Sequence, residues 1–324
     1  MIYSKTPYRI SLFGGGTDFP EWFKNNKSLV ITTSINKYAT IGIRYLPPFF
    51  KKKYRIIWSK IELVNSINQI KHPVIKAILK EFNVRKGIEL IHCGDLPARS
   101  GIASSSAFVV GLLNLINFIH KKKISQFDLG KQAALIEHEI LNEAGGLQDQ
   151  LITALGGFKE ISFYKKEIKY KDICINQKKI KQINNSLVLI YTGGFRKSHV
   201  IQEKFKKNIK NLNKELSLIN EIAMEAKRVI LSEKNYDEIG YLLNESWKIK
   251  QSFNKDVTNS KIQDIYELAK KSGATGGKIL GAGSKGFMIF YCPQHMQKKL
   301  LNNLKKLVHV PFLFENQGSH ILKI

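Results

Sequence analysis

Leu96-Pro97-Ala98-Arg99-Ser100-Gly101-Ile102-Ala103-Ser104-Ser105-Ser106-Ala107 stands between a strand-like run, Gly87 to His92, and an apolar helical run, Ser105 to His120. It offers small side chains, several backbone N–H groups, three successive hydroxyls and the positive end of a helix dipole. Those are what an anion needs: inward donors and no bulk to block close approach. An ordinary Gly/Ser-rich helix entry has the same composition, so the stretch alone gives either an anion site or a cap. It is not a Walker loop, since no Gly-x-x-x-x-Gly-Lys-Ser/Thr spacing occurs. The nearest approach, Gly276-Gly277-Lys278, has Ser272 in place of the upstream glycine and Ile279 in place of the hydroxyl. Gly281-Ala282-Gly283-Ser284-Lys285-Gly286 satisfies Gly-x-Gly-x-x-Gly, but a dinucleotide site needs a helix next. Phe287 to Tyr291 reads instead as a strand.

Outward from the loop, strands and helices mix. Val30 to Arg44 alternates and is β-branched, Phe158 to Tyr164 follows Gly156-Gly157, and both predict strands. Ser125 to Glu143 predicts a helix, with Ser125 as N-cap and Asp128 three residues on. Lys165 to Lys181 is lysine-rich and reads as an exposed stretch, and Leu187 to Tyr191 as a short buried strand ending at Thr192-Gly193-Gly194. From His199 to Lys271 the periodicity is helical, as in Leu212 to Leu231, before strands return at Lys278 to Leu280, Phe287 to Tyr291 and Val308 to Phe314. The alternation predicts an α+β protein of two lobes, dividing between Lys165 and Leu187. The expected domains are 1–175, which carries the loop, and 176–324.

The 324 residues are 43% hydrophobic, enough for a real core. The longest apolar run, Ala107 to Ile119, is broken by Asn114 and Asn117, which reads as a buried helix and not a membrane span. Met1 to Arg9 has no apolar leader, and Cys93, Cys174 and Cys292 are too scattered for a disulfide framework or a zinc site. A cytoplasmic protein is expected. The net charge of +26 invites a nucleic-acid reading, yet the 52 lysines and arginines are spread through a Lys-, Ile- and Asn-rich chain. That spread argues against a nucleic-acid interface, while a positive surface speeds encounter with anionic substrates.

Four segments in order resemble the GHMP kinases. Pro7-Tyr8-Arg9 followed by Gly14-Gly15-Gly16-Thr17-Asp18 is similar to the sugar-kinase opening motif, and the serine-rich loop to the family's phosphate loop. Glu137-His138, with Asp149-Gln150 closing the segment, resembles a galactokinase segment, and Gly276 to Gly283 the C-terminal glycine motif. Within the family the opening most resembles the D-glycero-D-manno-heptose 7-phosphate kinases. Two departures stand out. Ala103 keeps the loop small but disfavours a positive φ, so the turn there is expected to suit a Cβ. Ser284-Lys285 stands where the family has glycines.

The resemblance implies a two-lobed GHMP kinase fold and transfer of phosphate from ATP, with Mg2+, to the anomeric hydroxyl of a heptose 7-phosphate. A fucose-, galactose- or uronic-acid-like sugar is the alternative acceptor. By resemblance, Asp149 faces the substrate hydroxyl as base or orienting group, and Arg9 sits beside it. Pro97, Arg99, Ser100, Gly101, Ala103, Ser104, Ser105 and Ser106 hold the nucleotide phosphates. Glu137 and Ser105 hold the metal, and Gly15, Gly16, Thr17 and Asp18 meet the sugar. Gly193, Arg196, Lys197 and Gly283 are further substrate candidates, with Arg99 and Arg44 as alternative cations for a remote phosphate. Apart from the family, Glu137 and Asp149 read as solvated helix charges and Arg9 as a structural ion pair. Trp58 and Tyr54 flank adenine or belong to the core. The expected partners are ATP and a small sugar phosphate, without nucleic acid or membrane. The oligomeric state stays open, a homodimer among the options.

Overall fold

The computed structural model describes residues 1–194, 198–232 and 236–323. Among the described residues twelve strands form two sheets: β1 (Ile2–Phe13), β2 (Ser28–Tyr45), β3 (Tyr54–Ile57), β4 (Ile61–Val64), β5 (Ile88–Gly94), β6 (Phe158–Tyr164), β7 (Glu167–Asp172), β8 (Leu187–Gly193), β9 (Gly276–Ile279), β10 (Gly286–Tyr291), β11 (Val308–His309) and β12 (His320–Lys323). The larger sheet runs β12-β1-β2-β5-β3-β4, with β6 also on β2 and β7 on β6; the smaller runs β11-β8-β10-β9. The long β2 serves two neighbours. Its first half pairs with β6 and its second with β5. This is the expected two-lobed α+β architecture. The chain's last strand returns to pair with β1, across the 175/176 division.

Expected elements appear with shifted ends. Val30 to Arg44 lies in one bent strand. The helix from Ser125 stops at Leu135, then continues as a π-turn over Ile136–Ile140. The lysine-rich stretch is exposed as expected, yet residues 167–172 pair with β6 as a hairpin. Val308 to Phe314 keeps only two strand residues. Lysine density hid the first of these, because the strand alternation of β7 faces solvent on nearly every side chain.

The helix Ser104–Ile119 lies against β1 and β2 and is buried almost all round, from Ala107 through Leu112 to Ile116. Each such full burial is worth roughly 1.5–3 kcal/mol. That anchors the loop before it. A second apolar cluster joins Tyr8, Ile10 and Leu12 of β1 and Ile102 of the loop to Leu189, Leu280, Phe287 and Ile289 of the smaller sheet. The floor of the cleft is therefore built from both sheets. Among the described residues no helix is long and apolar enough to cross a membrane.

Candidate active site

β1 carries Arg9 into the interior, where its guanidinium is only 3% exposed. A cation there requires a partner. Nε donates to Asp149 Oδ1 at 2.8 Å and Nη2 to Oδ2 at 2.6 Å. The third donor, Nη1, reaches the Gly101 carbonyl at 2.7 Å, and the Arg9 backbone N–H reaches that of Ile102. One arginine thus ties the opening strand, the loop and the acid on the helix Gln148–Leu155 together. The fork geometry suits a carboxylate and leaves the aspartate partly open to the cleft.

Asp18 lies beside that pair. Its Oδ1 accepts from Gly16 N at 3.0 Å and its Oδ2 from Gln148 N at 3.1 Å. Burial, with Asp149 adding to it, raises its carboxyl above the usual range. Gly146 is required here, because a Cβ at that position would fall 1.9 Å from Asp18 Oδ2. Thr17 is fully buried and bonds Gly14 O and Ser28 Oγ, so it shapes the turn and does not face the cleft. Gly16 lies beneath Phe205, Leu216 and Phe253, and Gly15 beside Ser11 and Gln148. Ser11 Oγ and Gln148 Oε1 are buried without hydrogen-bond partners.

Glu137 enters from the π-turn, which Leu141 N closes onto Ile136 O. Its Oε2 accepts from Ser106 Oγ at 3.0 Å and from Gln150 Nε2. Its Oε1 has no partner, and burial pushes its carboxyl up to about 8. A buried carboxyl with one free oxygen beside a hydroxyl is chemistry that fits a hard cation. Among the described residues no group of three or more His, Cys, Asp or Glu could hold a metal.

The loop brings its small residues together, with one departure from expectation. Ala103 adopts φ +59°, left-handed despite its Cβ, and so does Arg99 at +58°. The turn did not adapt to alanine. The Arg9 bonds to residues 101 and 102, with Ser104 Oγ accepting from Arg99 N at 3.0 Å, hold it in place. Ser100 is buried, donates to Pro97 O and accepts from Phe287 N, which locks the loop onto β10. Ser106 meets Glu137, whereas Ser105 is exposed. Ser106 rather than the expected Ser105 meets Glu137 because the side of a helix's first turn that faces a distant carboxylate is a tertiary property.

The third glycine motif keeps its close approaches despite Ser284-Lys285. A Cβ at Gly286 would strike Ser100 O and one at Gly283 would strike Val257 O, at 2.1 and 2.5 Å. Gly283 thus packs on Val257 rather than beside Asp18. Gly193 leaves open space near Lys261. Arg196 and Lys197 lie outside the described residues. Arg44 is taken up by Glu89, while Arg99 lies exposed at the loop. Tyr54 is buried and bonds Val84 O, a core role. Trp58 stacks edge-on against His72, which with His92 packs on Phe108 of the loop helix, an aromatic wall on the Arg99 side. Gln148 and Gln150 were missed as site residues, and Ser106 was expected at the nucleotide phosphates rather than against Glu137. Gln150 had a signal, as the residue after Asp149 that closes the Glu137 segment.

Comparison with known proteins follows the same lines. Residues 68–157 match the model for the GHMP kinases N terminal domain. The chain is 27% identical to a D-glycero-alpha-D-manno-heptose 7-phosphate kinase of Campylobacter jejuni over 94% of this chain and 93% of that one. It is 22% identical to a galactokinase of Pyrococcus furiosus, covering 89% and 88%. A crystal structure described as a D-glycero-D-manno-heptose 1-phosphate kinase from Bacteroides thetaiotaomicron superposes at a TM-score of 0.81, with 22% identity over 100% of this chain and 99% of that one.

Proposed function

We propose that this chain, whose residues 68–157 match the GHMP kinases N terminal domain, transfers the γ-phosphate of ATP to the anomeric hydroxyl of a heptose 7-phosphate, for nucleotide-activated heptose synthesis in the cytoplasm. The observation that carries this reading is the Arg9–Asp149 fork beside Asp18 and against Gly101. Two acids and a cation converge next to an anion-binding loop, which is the need of a reaction where charge is moved between oxygens. The division into lobes 1–175 and 176–324, with the last strand returned to the first, is part of the same proposal.

Asp18 and the unpartnered Ser11 and Gln148 atoms orient the acceptor's hydroxyls. Asp149 receives or steers the proton of the attacking hydroxyl, and Arg9 positions it while offsetting charge on the transferring group. The loop N–H groups and the helix Ser104–Ile119 dipole hold the nucleotide phosphates. Glu137 and Ser106 would hold magnesium, with Ser105 the alternative hydroxyl. When bound, that ion neutralises phosphate charge. Trp58 and His72 would flank the base.

The acceptor's class draws on the relatives, whose names differ. The Campylobacter protein is named for a heptose 7-phosphate and the Bacteroides structure for a heptose 1-phosphate. A panel of sugars with and without a terminal phosphate, run with Mg-ATP, tests the reading. We expect heptose 7-phosphate to be the best acceptor, with phosphorus NMR placing the new phosphate on the anomeric oxygen. A better rate on an unphosphorylated fucose, galactose or uronic acid would overturn the heptose assignment.

A further inference from the structure

Lys278, at the middle of β9, has no part in the mechanism above. It is 5% exposed, and among the described residues it has neither a hydrogen bond nor an ion pair. Its ladder partner is Ile289 of β10, and paired residues of an antiparallel ladder share a face. Ile289 and Leu280, two residues on from Lys278, belong to the cluster containing Tyr8, Ile10 and Ile102, whereas the intervening Ile279 belongs to another. The lysine therefore faces β1 and the phosphate loop. At that place β10 is fastened to the loop through Phe287 N and Ser100 O at 3.1 Å. The charged group it faces is Arg9. Both oxygens of Asp149 are already taken by Arg9, so the lysine has no counter-ion among the described residues.

A buried ammonium without a counter-ion is costly, and a chain keeps one where a ligand supplies the missing charge. We propose that Lys278 is a further catalytic residue, whose ammonium holds an oxygen of the phosphoryl group in transfer, opposite Arg9 and against the loop. The proposal rests on the kinase reading given above. It makes the second lobe a contributor of charge to a site otherwise built on the first. Transfer itself is unchanged: the acceptor oxygen bonds to phosphorus, the bond to ADP breaks, and the proton leaves toward Asp149. The lysine neutralises charge and forms no bond.

Burial, with Arg9 beside it, brings the ammonium down to about 7. An anion at this place favours the charged form, so at about pH 8 nucleotide binding should draw in a proton. The test compares wild type, Lys278→Met and Lys278→Arg, each with Mg-ATP and the best acceptor from the panel. We expect Lys278→Met to lower kcat by roughly a hundredfold with the acceptor KM within about threefold, and Lys278→Arg to recover part of the loss. Lys278→Met should melt no lower than the wild type, because it removes a buried charge and keeps the shape. Calorimetry of ATP binding in two buffers should show less proton uptake in Lys278→Met than in the wild type. Unchanged kcat, a loss confined to the KM of phosphorylated acceptors, or a melting point that falls with the activity would each overturn the assignment. A wild type that transfers phosphate to no sugar would instead sink the kinase reading.

Discussion

Asp149 and Glu137 stand twelve residues apart, yet Asp149 has both oxygens on a guanidinium while Glu137 meets no cation among the described residues. Asp149 is partly open to the cleft; Glu137 is sealed behind Ser106 and Gln150 with one oxygen unsatisfied. The difference separates two tasks. The acid proposed to act on the acceptor already has a guanidinium of the chain itself against both oxygens. The other, its carboxyl raised to about 8 by burial, has no cation of the chain's own, and in the proposed reading an incoming metal ion takes the place of its proton.

Substitutions can break that contrast in a graded way. Glu137→Gln keeps the shape and the contact to Ser106 but removes the charge that a cation needs. Turnover should fall by about a thousandfold, and a magnesium titration should no longer saturate in the same range. Retention of full activity would mean that Glu137 is a core residue. Ser106→Ala takes one donor from Glu137 and should cost about tenfold in turnover, against about twofold or less for exposed Ser105→Ala. The reverse order in steady-state kinetics would return the metal to Ser105. The smallest effect concerns the loop. Ala103→Gly releases the left-handed strain at φ +59° and, net of the added unfolded-state freedom, should stabilise by roughly 0.5–1 kcal/mol. Calorimetry would then show a melting point about 1–2 °C higher.

Much of this was legible in the chain. The strand, loop and helix around residues 96–107 follow from period and from small residues, and the Ser125 cap appears as read, accepting from Asp128 N at 3.0 Å. Arg9, Asp18, Glu137 and Asp149 were picked from motifs, and the structure brings Arg9, Asp18 and Asp149 together. What stayed hidden depends on tertiary packing. The π-turn that aims Glu137 leaves no mark on helical periodicity. The choice of Ser106 over Ser105 is decided by which side of a helix meets a distant acid. Lys278 was read as one residue of a glycine motif, since its burial and its view of Arg9 exist only once the two sheets are stacked. The left-handed Ala103 shows a local preference overruled by the Arg9 bonds to residues 101 and 102.

The central claim is that Asp149, poised on Arg9, serves the acceptor hydroxyl. The direct measurement is turnover of Asp149→Asn beside the wild type, with ATP affinity and melting temperature recorded on the same preparations. Turnover should drop by roughly a hundredfold or more while the Kd for ATP stays within about threefold, since asparagine keeps the shape and one acceptor oxygen for Arg9 but loses the charge. Unchanged turnover in the folded, ATP-binding variant would contradict the account.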